Sequence, residues 1–190
     1  DKVESKVFGI SERSRPQKFI PVQSELPGAY ERLEKLHRGE HGGYRGIATG
    51  FTGLDNILSG LQRSDLIIVG ARPSYGKTTL ALDVARHVAL QGKSVGIFSL
   101  EMSKDQIVDR LIASQAQIPL WRLRTGKLTD DLEFALVQQA LDELSKAKLF
   151  IDDTPSPTVL QMRSMARRLQ IEHGLDLVIV DYLQLVQSRM

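Results

Sequence analysis

The densest chemistry in the sequence lies at Ala71-Arg72-Pro73-Ser74-Tyr75-Gly76-Lys77-Thr78-Thr79. The stretch joins an apolar run, Leu66-Ile67-Ile68-Val69, to a segment with helical patterning from Lys77. A tight loop at such a junction, with the N-terminus of the following helix, points backbone N–H groups into one concavity and stabilises phosphate charge. Gly76 lets the backbone approach closely. Lys77 can reach terminal phosphates as a point charge, and the Thr78 hydroxyl can ligate Mg²⁺. The first glycine of this pattern falls on Ala71, with Gly70 one residue early. A Gly/Pro turn before a helix would explain the glycine and proline, but not Lys-Thr-Thr in register. Residues 71–79 are therefore expected to bind ATP.

Two carboxylates extend the constellation. Asp181 follows Leu177-Val178-Ile179-Val180, so it stands at the carboxyl end of a strand, where ligands bind in α/β folds. With Thr78 it is the expected holder of Mg²⁺, directly or through water; alone it could equally be a turn residue. Glu101 follows the apolar segment Ser94–Leu100. Hydrolysis needs a group that orients or deprotonates the attacking water, and one branch of phosphate-loop ATPases carries it at the end of this strand. Glu101 and Lys77 are the expected catalytic residues. The competing role for Glu101 is a helix-terminal carboxylate ahead of the cap Ser103.

The elements that must position these groups alternate. Strands are expected at Leu66–Val69, Ser94–Leu100, Leu149–Ile151 and Leu177–Val180. Helices are expected at Lys77–Gln91, Ser103–Gln115, Thr129–Lys146 and Thr158–His173. Ser103 and Thr129 read as N-caps, with Asp130 and Asp131 in the first turn after Thr129. Ile118-Pro119 breaks the second helix. This order implies a largely parallel sheet flanked by helices.

Ahead of it, residues 1–23 read as an extended linker, and Glu40–Tyr44 as a second flexible stretch. Between them, Ser24–Arg38 reads as a helix with Pro27 in its first turn. Its stripe of Ala29, Tyr30, Leu33, Leu36 and His37 must be buried, on its own domain or on a neighbouring subunit.

Weaker signals point elsewhere. His37 and His41 stand four apart, but Gly39, Gly42 and Gly43 interrupt the helix that would present them to a metal. Arg163, Arg167 and Arg168 read as a solvated helix face rather than a DNA groove, and Trp121 as packing rather than base stacking. The 190 residues hold 25 basic and 23 acidic side chains, a balance that neither demands nor excludes nucleic acid. Cysteine is absent, which removes disulfides and thiolate metal sites. No apolar run approaches the about 18 residues of a bilayer span, so no membrane partner is expected and a cytoplasmic protein is.

Taken together, these segments resemble the DnaB family of replicative helicases, built on a RecA-like P-loop ATPase fold. Thr49–Asp55 resembles the family's opening segment, and Gly70–Ser74 with Gly76–Thr79 its phosphate loop. Ser99–Ser103 resembles the segment of its catalytic glutamate, Asp152–Ser156 its connecting loop, and Asp181–Leu185 its metal-binding aspartate segment. The resemblance runs from about Ser24 to the end. It implies residues 1–45 as an interdomain linker whose helix 24–38 docks on the adjacent subunit of a homo-hexamer. It implies residues 46–190 as the front portion of the ATPase domain. Its expected substrates and cofactors are ATP, Mg²⁺ and single-stranded DNA, the DNA gripped mainly by parts past Met190. A sensor glutamine and an arginine finger would also lie there. Primase and a helicase loader are the expected partners. A RecA-like recombination or repair ATPase, or a nucleotide-switched helicase-loading module, are the alternatives.

Overall fold

A computed structural model describes residues 19–38, 44–128 and 130–187. The expected linker residues 1–18, the stretch 39–43 with His41, and the expected cap Thr129 lie outside the described residues. The chain divides into two units, Asp1–Gly43 and Tyr44–Met190.

In the first unit, Val22–His37 forms helix α1, starting two residues before the expected Ser24. The Pro21 carbonyl accepts both the Ser24 N–H at 3.1 Å and its hydroxyl at 2.7 Å, which nucleates the earlier start. Pro27 consequently lies inside the helix, past its first turn, where its missing N–H leaves one carbonyl a turn back without a donor. Leu26, Tyr30 and Leu33 are spaced four and three apart and share one face.

Among the described residues, the second unit is built on three strands. β1 (Val95–Ser99) lies between β2 (Leu149–Asp152) and β3 (Leu177–Asp181), parallel to both. Val95 pairs with Leu149 and Leu177, and Ser99 with Asp181. All five β1 residues are buried, as expected for a parallel strand covered on both faces. Val95 and Ile97 join Leu82, Ala85, Val88 and Ala89 of α3 (Lys77–Leu90) and Ile107 and Leu111 of α4 (Lys104–Ala116) in the main core. Gly96 points the other way. A Cβ there would stand 3.1 Å from Leu169 of α7 (Val159–His173), so the glycine admits that helix close to the sheet. Emptying a core position such as Ile107 would cost about 2–5 kcal/mol.

Caps fix the helix ends. Ser103 starts α4 and Thr158 starts α7, each through a reciprocal capping box, with Gln106 and Gln161. The helix expected from Thr129 begins later, as α6 (Asp131–Ser145), because the Asp130 side chain takes the Glu133 N–H at 2.8 Å. Two short helices were not legible in the periodicity: α2 (Thr52–Leu58) and α5 (Leu120–Thr125). The latter fills the α4–α6 connection, where Ala116, Ile118 and Ala140 form a second small core.

One expected strand is corrected. Leu66–Val69 pairs with no described residue and stands exposed, Leu66 at 83% and Ile68 at 75%. Four apolar residues carry strand propensity, but a strand exists only where a neighbour completes its ladder. The three described strands pair only with one another.

Candidate nucleotide-binding site

The sheet order places a switch point over the site. From β1 the chain passes through α4–α6 to β2 on one side; from β2 it returns through α7 to β3 on the other. Crevices outside the carboxyl ends of two such strands are where α/β sheets take ligands. Asp181 ends β3, and Glu101 lies two residues past the end of β1.

Residues 71–76 are all exposed in front of that crevice's helix, α3. The Tyr75 N–H closes a turn onto the Arg72 carbonyl at 3.3 Å. Ser74 and Gly76 take left-handed backbone, with φ of 65° and 84°. Glycine adopts this freely at 76; at Ser74 it costs about 1–2 kcal/mol. Gly76 is the N-cap of α3. It supplies no side-chain cap, and the first turn carries no acid. The helix therefore keeps N–H groups and the positive end of its dipole available for an anion. Pro73 and Tyr75 are exposed loop residues, Tyr75 at 76%; Thr79 is exposed in the first turn.

Lys77 and Thr78 converge on Asp181. The Thr78 hydroxyl donates to Oδ2 at 2.6 Å, and Lys77 Nζ lies 3.0 Å from Oδ1. Both partners of the ion pair are largely shielded, at 28% and 13% side-chain exposure. Both oxygens of one carboxylate are thus held by adjacent residues of the loop helix. The Lys77 ammonium also lies over the Tyr182 ring, 4.2 Å from its centroid. The Asp181–Tyr182 peptide is cis.

Glu101 sits in the turn that ends β1. The Leu100 N–H donates to the Asp181 carbonyl at 2.8 Å, extending the β1–β3 ladder one step. The Ser99 hydroxyl donates to the Met102 carbonyl at 2.6 Å and tightens the turn around Glu101. The Glu101 carboxylate is exposed and makes no hydrogen bond or ion pair with a described residue. The backbone therefore brings it to the same sheet edge as Asp181, while Lys77, Thr78 and Asp181 touch directly.

Thr49–Asp55 is a built loop. The Asp55 carboxylate, 2% exposed, accepts the Thr49 N–H and hydroxyl, both at 2.8 Å, and the Gly50 N–H at 3.3 Å. Gly50, at φ 90°, packs against the His87 ring of α3; a Cβ there would meet the ring at 2.6 Å. The opening segment thus seats on the helix that carries Lys77 and Thr78.

Outside the site, Arg163, Arg167 and Arg168 are exposed on α7, Arg168 paired with Glu172 at 2.9 Å. Trp121 corrects the packing expectation. It is 57% exposed, with the Arg122 guanidinium 5.6 Å over its ring. It lies in the short helix α5, in which no residue is fully buried. Two features escaped the sequence reading: the Tyr182 ring under Lys77 and the Asp55 network. An aromatic immediately after a strand-end carboxylate was the available signal for the first.

A parallel sheet wrapped by helices on both faces, with a phosphate-type loop at its switch point, defines a RecA-like α/β domain of the P-loop class. The chain belongs to the family of the DnaB-like helicase C terminal domain, whose profile matches residues 46–190. It is similar to the replicative DNA helicase DnaB of Geobacillus stearothermophilus, with 45% identity over 99% of this chain and 41% of that protein. It is 41% identical to the replicative DNA helicase DnaC of Bacillus subtilis (strain 168), over 97% of this chain and 40% of that protein. The chain thus spans about two fifths of the length of these relatives. Among solved structures, an ATPase domain superposes with a TM-score of 0.81 at 27% identity, covering 91% of this chain and 61% of that one. A DnaB-like replicative helicase, described with its interactions with primase, superposes with a TM-score of 0.78 at 26% identity, covering 98% and 44%.

Proposed function

We propose that this chain is the nucleotide-binding part of an ATP-driven replicative DNA helicase motor. The observation that carries the reading is Asp181 at the sheet's switch point, with Thr78 on one oxygen and Lys77 on the other. The exposed loop 71–76 and the uncapped α3 N-terminus wrap the phosphates of ATP. Lys77 then donates to the terminal phosphates. Thr78 and Asp181 present the oxygen pair suited to Mg²⁺, a hard cation that takes few protein ligands and keeps water and phosphate for the rest. Held by these residues, Mg²⁺ would supply charge neutralisation at the terminal phosphates. Glu101, exposed at the adjoining strand end, orients and deprotonates the attacking water.

The relatives are named replicative DNA helicases, and that supports single-stranded DNA as the track and duplex unwinding as the work. The family match favours this over a recombination ATPase or a loading module. The resemblance stated above implies a hexameric ring, in which α1 docks on the adjacent subunit through Leu26, Tyr30 and Leu33, all three exposed. The neighbour described with primase makes primase a partner to test; a loader and the cytoplasm follow from the same reading. In the full-length protein carrying this chain, single-stranded DNA should stimulate ATP turnover, and ATP should drive strand displacement. Turnover indifferent to DNA, with no displacement, would remove the helicase reading.

A further inference from the structure

Lys77 has two partners, and they do different things. Asp181 attracts the ammonium by charge, its Oδ1 lying 3.0 Å from Nζ. Tyr182 offers a ring face 4.2 Å from Nζ, which attracts a cation through its quadrupole and consumes no N–H. Were the Asp181 carboxylate to turn to a metal, the ion pair would be lost while the ring contact could persist. A lysine side chain otherwise carries rotamer entropy that must be given up when Nζ settles on a phosphate.

We propose that Tyr182 is a positioning residue for Lys77. Its ring holds the ammonium at the mouth of the phosphate loop, both before ATP enters and while Lys77 donates to phosphate. The inference rests on the reading of Lys77 as the phosphate-binding cation. The alternative is that the ring draws Nζ away from the phosphates, and the two differ in sign.

The test uses the 190-residue chain and three variants: Tyr182→Leu, Tyr182→Phe and Lys77→Ala. Mg-ATP-analogue affinity comes from calorimetric titration. The Lys77 Cε proton shifts come from NMR of lysine-labelled protein, since protons near a ring face move upfield. Tyr182→Leu should weaken the affinity about two- to fivefold, the size of a partly exposed cation–π contact, and abolish the upfield shift. Tyr182→Phe keeps the face and should restore both, which general damage to the fold would not allow. Affinity unchanged or tightened in Tyr182→Leu, or a Lys77 shift indifferent to the ring, would overturn the inference while leaving the site intact, provided that Lys77→Ala still abolishes binding. Unchanged binding in Lys77→Ala would overturn the site and the inference together.

Discussion

Thr78 and Asp181 stand 103 residues apart in the chain and share a hydrogen bond of 2.6 Å. That bond joins the first turn of the loop helix to the last residue of β3, and Lys77 closes the triangle on the other carboxylate oxygen. The carboxylate therefore engages the same two loop side chains that ATP and Mg²⁺ are proposed to use.

The first prediction follows from that competition. Asp181→Asn removes the charge that holds Lys77 and the oxygen that would hold Mg²⁺. The gain in ATP-analogue affinity on adding Mg²⁺ should shrink by on the order of 10- to 100-fold, the usual cost of losing a partner near a metal. Titrations with and without chelator measure it. A wild-type Mg²⁺ dependence in this variant would free Asp181 of the metal role.

Binding and chemistry separate at Glu101. Glu101→Gln keeps the shape of the side chain and removes its basicity. ATP should bind as in the wild type, while hydrolysis by the full-length protein falls by roughly two orders of magnitude or more, the size of a general-base effect. Single-turnover hydrolysis alongside binding would check this; full turnover would move the role to another carboxylate.

The Asp55 network predicts a stability effect away from the chemistry. Asp55→Ala leaves the Thr49 and Gly50 N–H groups without their acceptor in a site 2% exposed. Losing hydrogen bonds to a buried charge should cost about 3 kcal/mol, or roughly 6–12 °C in melting temperature for a domain of this size. Thermal melting of the chain, with Asp55→Asn as the milder partner, tests it. A melting point within a degree of wild type would show that the loop is held otherwise.

The arm offers a prediction of assembly. If the α1 face of Leu26, Tyr30 and Leu33 docks on another subunit, Leu33→Asp buries an unpaired charge only when the ring forms. The cost is about 3–5 kcal/mol by the usual penalty. The full-length protein should lose its ring, while each subunit stays folded. Sedimentation and melting are measured side by side. An intact ring with a lowered melting temperature would place the stripe on its own domain.

How much of this was legible depended on the range of the interaction. The helix start at Lys77 could be read because the loop and the first helical turn are contiguous. Ser103 could be read as a cap because a cap and its partner lie three residues apart. Asp181 was legible because four apolar residues before it announced a strand end. Leu66–Val69 was misread because strand pairing is decided by a neighbour far along the chain. Tyr182 was missed for the same reason: its partner, Lys77, is over a hundred residues away and meets it only once β3 lies beside β1. Trp121 was misassigned because apolar character alone does not say which face of a short helix meets the core; Leu123 of α5 packs on the second core while Trp121 is exposed.

The most direct measurement is calorimetric titration of the chain with Mg²⁺ and a non-hydrolysable ATP analogue, run on wild type and on Lys77→Ala. Saturable binding to the wild type, lost or weakened by more than about tenfold when the ammonium is removed, is the expected result. Equal affinity in the two proteins, with Lys77→Ala folded as judged by its melting, would contradict the assignment of residues 71–79 as the phosphate-binding loop.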